Sequence, residues 1–256
     1  MTRGLTEGDR GHGPNAEPAI VLHDLGSRRE SRALFNTAAR AASESGDGQL
    51  YAWVRAREAM VPLNYGAPKA LAGLAEQARH VVGNRPTAAA VLAAAVAARA
   101  SALNHQSEQA RAALAEADAL MERLPEGERS DTWLTYSEQK HHVHPSHAYT
   151  TLGDTARAHE SQQRALDLPA PTSTMTRTLL HTDSAACSHH DGDSEEARHR
   201  TVAALTALPD GYRTGLARRR AQDLYEAIPT EHHHTAVERW GSGQAAFPPD
   251  RQPNPA

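Results

Sequence analysis

The chain has a single cysteine, Cys187, in 256 residues, which excludes an intramolecular disulfide framework. Aromatic residues are only 4% of the chain, so its core has to come from close approach of small side chains rather than from large rings. No apolar run approaches the ~18 residues of a membrane span, and the mean hydropathy is −0.63. The amino-terminal stretch "MTRGLTEGDRGHGPNAEP" lacks the apolar centre of a signal peptide, so a cytoplasmic location is expected. Lysine is nearly missing: Lys69 and Lys140 are the only two among 27 basic residues. With a net charge of −4 the chain has no global basic field, and direct nucleic-acid binding is not expected. Phosphate-binding glycine loops, GxSxG and HExxH patterns are also missing, so neither an enzyme nor a cofactor is expected.

What is present is alanine, and a repeat. "LGDTARAHESQQRALDLP" (152–169) is echoed by "DGDSEEARHRTVAALTALP" (191–209). Counting from a turn residue, Gly26 is followed at five and twelve positions by Ser31 and Ala38, and Gly66 by Leu71 and Ala78. His105 leads to Ala110 and Ala117, Gly153 to Ala158 and Ala165, and Gly192 to Ala197 and Ala204. The units are 40, 39, 48 and 39 residues apart. The two small residues are separated by two helical turns and share a face on which another helix can lie close. Each turn is followed by a helix start: Pro68 in a first turn, and Ser107, Asp154 and Ser194 as expected N-caps. Each is preceded by another helical stretch, at 49–64, 86–104, 131–152 and 173–190. The expected fold is all-α, about five helix pairs stacked so that each covers its neighbour's apolar face. Residues 1–19 are expected to be disordered, 20–229 to form the repeat domain, and 230–256 to be a flexible tail.

The Gly-Asp turn, the small residue five on, the Ala-Leu pair and the closing proline resemble a tetratricopeptide repeat. More narrowly, "LHDLGSRRESRALFNTAARAASESGD" (22–47), "WLTYSEQ" (133–139) and "RTLLHTDSAACSHHDGDSEEARHRTVAAL" (177–205) resemble the repeat region of actinobacterial Xre-type transcriptional regulators. The resemblance implies a right-handed α-solenoid and a regulatory module that binds a peptide or protein. The helix-turn-helix that opens those regulators has no counterpart here, so the likeness is to the effector half alone. Such a module can work as a monomer or a homodimer.

By family register, the first helix of each pair lines a concave groove at 13, 10, 6, 3 and 2 residues before the turn. This implies groove residues Trp53, Met60, Asn64, Arg99, Lys140, His147, Thr182 and His190, with Thr150 and His189 beside them. Arg99, Lys140 and His147 would make that face cationic and suit an acidic peptide or a free carboxy-terminus.

The alternative is a helical protein that binds a metal or small molecule through its histidines. In "KHHVHPSHAY" (140–149), His141, His144 and His147 recur every three residues, near one face of a helix. Pro145 is expected to break that helix, and no cysteine is near. The run His232–His234 cannot place consecutive rings on one face. Cys187, among small residues, reads as a buried packing residue rather than a nucleophile. "RTGLARRRAQDLYEAIP" (213–229), a basic amphipathic stretch, reads as a terminal capping helix with a polar outer face.

Overall fold

The computed structural model describes residues 16–65, 68–168 and 173–229. Among them are eleven α-helices, two single 3-10 turns and no strand, so the chain is all-α as its composition requires. The helices are α1 (Ala16–Asp24), α2 (Arg28–Glu44), α3 (Gly48–Asn64), α4 (Pro68–Val82), α5 (Ala88–Leu103) and α6 (Ser107–Glu122). They continue with α7 (Glu138–Leu152), α8 (Thr155–Asp167), α9 (Thr174–His190), α10 (Ser194–Thr206) and α11 (Gly215–Ala227). No helix among the described residues is long and apolar enough to cross a membrane.

The counted repeat is the skeleton of this arrangement. Gly26, His105, Gly153 and Gly192 all adopt the left-handed conformation that reverses the chain between helices. His105 is the one non-glycine residue among those described to do so, which places it at the turn despite the steric cost of a Cβ. Ala38, Ala78, Ala117, Ala165 and Ala204 are all buried on the even-numbered helices, and so are Ser31, Ala110, Ala158 and Ala197 seven residues before their partners. Ser31 uses the same close approach differently, donating its hydroxyl to the carbonyl of Ala19 across the α1–α2 contact at 2.7 Å. Gly66 and the side chain of Leu71 lie outside the described residues, as do the segments 1–15 and 230–256 with His232–His234.

The helices form two tiers. The odd-numbered helices α1, α3, α5, α7, α9 and α11 each contact the next in the series, and each even-numbered helix packs beside the odd-numbered helices that flank it in sequence. Helix α5, "AAAVLAAAVAARASAL", touches α3, α4, α6 and α7 and is buried almost all round. That is why it is apolar on every face instead of amphipathic. The series then returns on itself, because α11 also packs against α1. This seam is a glycine contact: a Cβ on Gly215 would stand 2.2 Å from the carbonyl oxygen of Asp24, and one on Gly26 would stand 2.9 Å from the Cα of Gly215. Only hydrogen side chains let the backbones meet there.

Several boundaries differ from the sequence reading. Helix α1 begins at Ala16, within the stretch expected to be disordered, because its apolar residue Ala19 is buried against α2 and α3. Helix α7 begins at Glu138 rather than 131, and Ser137 caps it by accepting from the amide of Lys140. Residues 131–137 form a loop tied by hydroxyls, with Thr135 Oγ1 held by Thr132 and Ser130. Ser107 and Ser194 are first-turn residues rather than caps: Asp193 caps α10, while Gln106 precedes α6 without a side-chain bond. Asp154 caps α8 as expected. Pro145 does not end α7, which runs through it to a left-handed Gly153. The cost of about 3 kcal/mol for an internal proline is offset by capping at both ends and by burial against α5, α8 and α9.

A candidate ligand cavity inside the helix ring

The inner tier surrounds a cavity of about 700 Å³, partly open to solvent. Helix α3 contributes Arg57, Met60 and Asn64, α5 contributes Arg99, and α7 contributes Gln139, Lys140, Val143 and His144. Met175, Thr176, Leu179 and Asp183 enter from α9, Leu216 and Arg220 from α11, and Ile20, His23 and Asp24 from α1. Phe35 of α2, the loop residues Asp131, Thr132 and Trp133, and Ser173 complete the wall. The intervals in α3, α7 and α9 are one, three or four residues, as one face of a helix demands. The volume lies within the range of small-ligand sites.

The charges in this wall are unequally matched. Lys140 pairs with Asp131 at 2.9 Å and donates to the carbonyl of Thr132 at 2.6 Å, so its charge is committed to the loop. Arg220 pairs with Asp183 at 2.8 Å, and Ser146 donates to the other carboxylate oxygen at 2.9 Å. Arg99 and Arg57 have no carboxylate in contact among the described residues. Arg99 is 3% exposed, and its guanidinium donates to Asn64 Oδ1 at 2.7 Å. Asn64 in turn donates to His23 Nε2, and His23 Nδ1 meets Asp24, both at 3.0 Å. The acceptor role at Nε2 fixes the proton of a neutral ring on Nδ1, where it is donated to the carboxylate. The nearest anion on that path is therefore three hydrogen bonds away. Burial, together with the like charge of Arg220, pulls the Arg99 pKa down to about 9. Arg57 lies over the Trp53 ring, 4.7 Å from its centroid, and burial lowers its pKa as well.

Buried polar atoms without a partner gather in the same region. They include Nε of Arg57, Nε of Arg99, Nδ1 of His144 and the hydroxyl of Tyr136, in a fold where most buried polar atoms are paired. Tyr136 is fully buried beneath the wall and stacks on His144 at 6.1 Å between centroids. Burial and the charges of Arg99 and Arg57 hold His144 well below its ordinary pKa, so it is neutral.

Of the groove residues read from the sequence, Met60, Asn64, Arg99 and Lys140 meet in this cavity. The other four do not line it. Trp53 is packed in the main core, with Arg57 rather than Trp53 reaching the wall. His147 is buried one turn beyond His144, and burial, reinforced by the charges of Arg220 and Arg99, holds it neutral. Thr182 is buried with its hydroxyl on its own helix, donating to Thr178 at 2.9 Å. His190 is exposed at the end of α9, beside the turn at Gly153. Thr150 is buried against Cys187, and His189 contacts Ser194. At its second position the register is off by one in α3 and α9, where Arg57 and Asp183 stand nine residues before the turn and not ten, while in α7 both Val143 at ten and His144 at nine line the wall. A count at that offset was the available signal for them. Arg220, expected on the polar outer face of a capping helix, points inward to Asp183 instead, since α11 belongs to the inner tier.

The histidine trio is distributed differently from a metal centre. His141 bonds Asp118 at 2.9 Å, His144 stacks on Tyr136, and His147 contacts Thr151. Among the described residues no three His, Cys, Asp or Glu side chains are grouped to hold a metal ion. Cys187 is buried between Thr150 and Gln162, and burial raises its thiol pKa, away from a reactive thiolate. No protein-family model matches the chain, and neither a curated protein nor a solved structure matches it.

Proposed function

We propose that the chain is a regulatory binding module, not an enzyme: a tetratricopeptide-like helical array that takes its ligand into the cavity of the inner tier and acts in the cytoplasm. The observation that carries this reading is the pair Arg57 and Arg99, cations in a cavity wall with no carboxylate of their own. Keeping a guanidinium desolvated and unpaired is costly, and a bound anion would repay that cost. The left-handed turns and the buried alanines at fixed offsets support the tetratricopeptide-like assignment. The segments 22–47, 133–139 and 177–205 support kinship with the effector half of Xre-type regulators.

An acidic peptide or protein partner fits this reading if only a short terminal segment enters, since α1 and α11 meet and leave a cavity instead of an open-ended groove. The test is a library of acidic peptides and small organic acids scored by thermal shift, with every hit measured again on Leu179→Trp, which fills part of the cavity. Hits that bind the parent chain and not this variant are expected. Hits that bind both equally would place the ligand elsewhere, and a library without hits would reject the module.

A further inference from the structure

We infer that the cavity ligand is a small amphipathic carboxylic acid, its head group held by Arg57 and Arg99 and its apolar body lying along the rest of the wall. This rests on the proposed binding function and names the ligand class for the same site. Three features of the wall lead to it.

The first is the state of the two arginines. Arg99 is almost fully buried and contributes to the cavity wall, and its Nε has no partner; the Nε of Arg57 is buried and unpartnered too. Both arginines line the same cavity, and both charges act on the buried Tyr136 and His144. A planar carboxylate matches guanidinium geometry and accepts two N–H bonds at once.

The second is the charge balance. Four cations, Arg57, Arg99, Lys140 and Arg220, share the wall with three carboxylates, Asp24, Asp131 and Asp183. One negative charge completes that balance. A multiply charged phosphate would meet three carboxylates in a space where like charges repel strongly.

The third is the remaining surface. Ile20, Phe35, Met60, Met175, Leu179 and Leu216 give the cavity an extensive apolar lining. An inorganic anion would leave this lining in contact with water, whereas a hydrocarbon body would cover it. The same head-and-body chemistry exists at a carboxy-terminus that ends in apolar residues. The free acid is favoured because the volume is that of a small-ligand site and the ring closes around it.

Isothermal titration of the full chain with octanoate, its neutral twin octanamide, inorganic phosphate and a pentapeptide ending in leucine tests this. Octanoate should bind at least tenfold more tightly than octanamide, phosphate and the peptide. Arg99→Gln and Arg57→Gln should each weaken octanoate tenfold or more and leave octanamide unchanged, with circular-dichroism melts confirming the fold. The comparison of the two octyl compounds on the parent chain needs no variant, so a variant that fails to fold leaves the proposal exposed to test. Equal binding of octanoate and octanamide, tighter binding of phosphate or peptide, or no octanoate binding at millimolar concentration would overturn it. Library hits that carry no carboxylate and are blocked by Leu179→Trp would overturn the ligand class while leaving the binding module standing.

Discussion

Replacing Arg99 with methionine should make the protein more stable. The folded chain pulls the pKa of this guanidinium from the ordinary arginine range down to about 9, chiefly by burial. At ~1.4 kcal/mol per pKa unit, the charge costs the native state roughly 4–5 kcal/mol at neutral pH. Methionine has a similar length, is apolar, and adapts to irregular space. It removes that cost and leaves Asn64 Oδ1 without its donor, a loss of about 1–3 kcal/mol. The net gain is then roughly 1–4 kcal/mol, and at about 2–4 °C per kcal/mol for a chain of this size, the melting temperature should rise by roughly 2–16 °C. The pH dependence carries the sign of the argument. Arg99 is deprotonated more easily folded than unfolded, so above about pH 9 the unfolded chain binds more protons and the parent chain gains stability as pH rises. The advantage of Arg99→Met should therefore be full at pH 7–8 and shrink towards pH 11. Melts by circular dichroism at several pH values decide the matter. A drop in melting temperature at pH 7, or a difference that does not change with pH, would refute the claim that the buried Arg99 charge destabilises the fold.

Three further outcomes follow from the packing and the charges. Ala165→Leu should overpack the α7–α8 contact, where Ala165 is fully buried, and cost about 1–3 kcal/mol in urea unfolding; no change would mean that the helices do not meet closely there. Asp183→Asn should cost about 3–5 kcal/mol, since it strips a buried Arg220 of its counter-ion; a loss below 1 kcal/mol would mean that solvent reaches the pair. His144 and His147 are held neutral first by burial and then by neighbouring arginines, so the unfolded chain takes up more protons below its histidine pKa of about 6.5. Stability should thus be retained above that pH and fall as pH drops through 6.5, and His147→Gln should flatten the acid limb of a pH–stability curve.

The turns were readable because they obey a local rule. A left-handed residue wants glycine, and a close helix contact wants alanine, so Gly26, Gly153, Gly192 and the alanines that follow them announce their positions. His105 was found only because its flanks kept the count. The site was readable in half. Met60, Asn64, Arg99 and Lys140 sit where the expected register places them, but Arg57 looks like any other of 25 arginines until its helix is docked. Lys140 drew attention through rarity, yet its charge is neutralised by Asp131, a residue of the loop that was read as helix. The contact of α1 with α11 was out of reach. It joins backbones nearly two hundred residues apart through two glycines, and glycine carries no side-chain pattern that names its partner.

That seam changes what duplication of a unit could do to this protein. In an open array, one more helix pair lengthens the concave surface and leaves existing contacts alone. Here the sixth inner helix meets the first through backbones that approach closer than a methyl group permits. A further pair would have to spread the two ends by about the width of a helix, ~10 Å, abolishing the Gly26–Gly215 approach, or be forced out of the inner tier. The number of helices around the cavity is thereby held at six, and with it the bore. Gly215→Ala, which drives a Cβ into the Asp24 carbonyl, should mimic the smallest such insertion and destabilise by at least about 2 kcal/mol. Gly46→Ala, whose Cβ meets nothing, should cost only the left-handed strain of about 1 kcal/mol. Equal losses in urea unfolding would show that the ends are free to part.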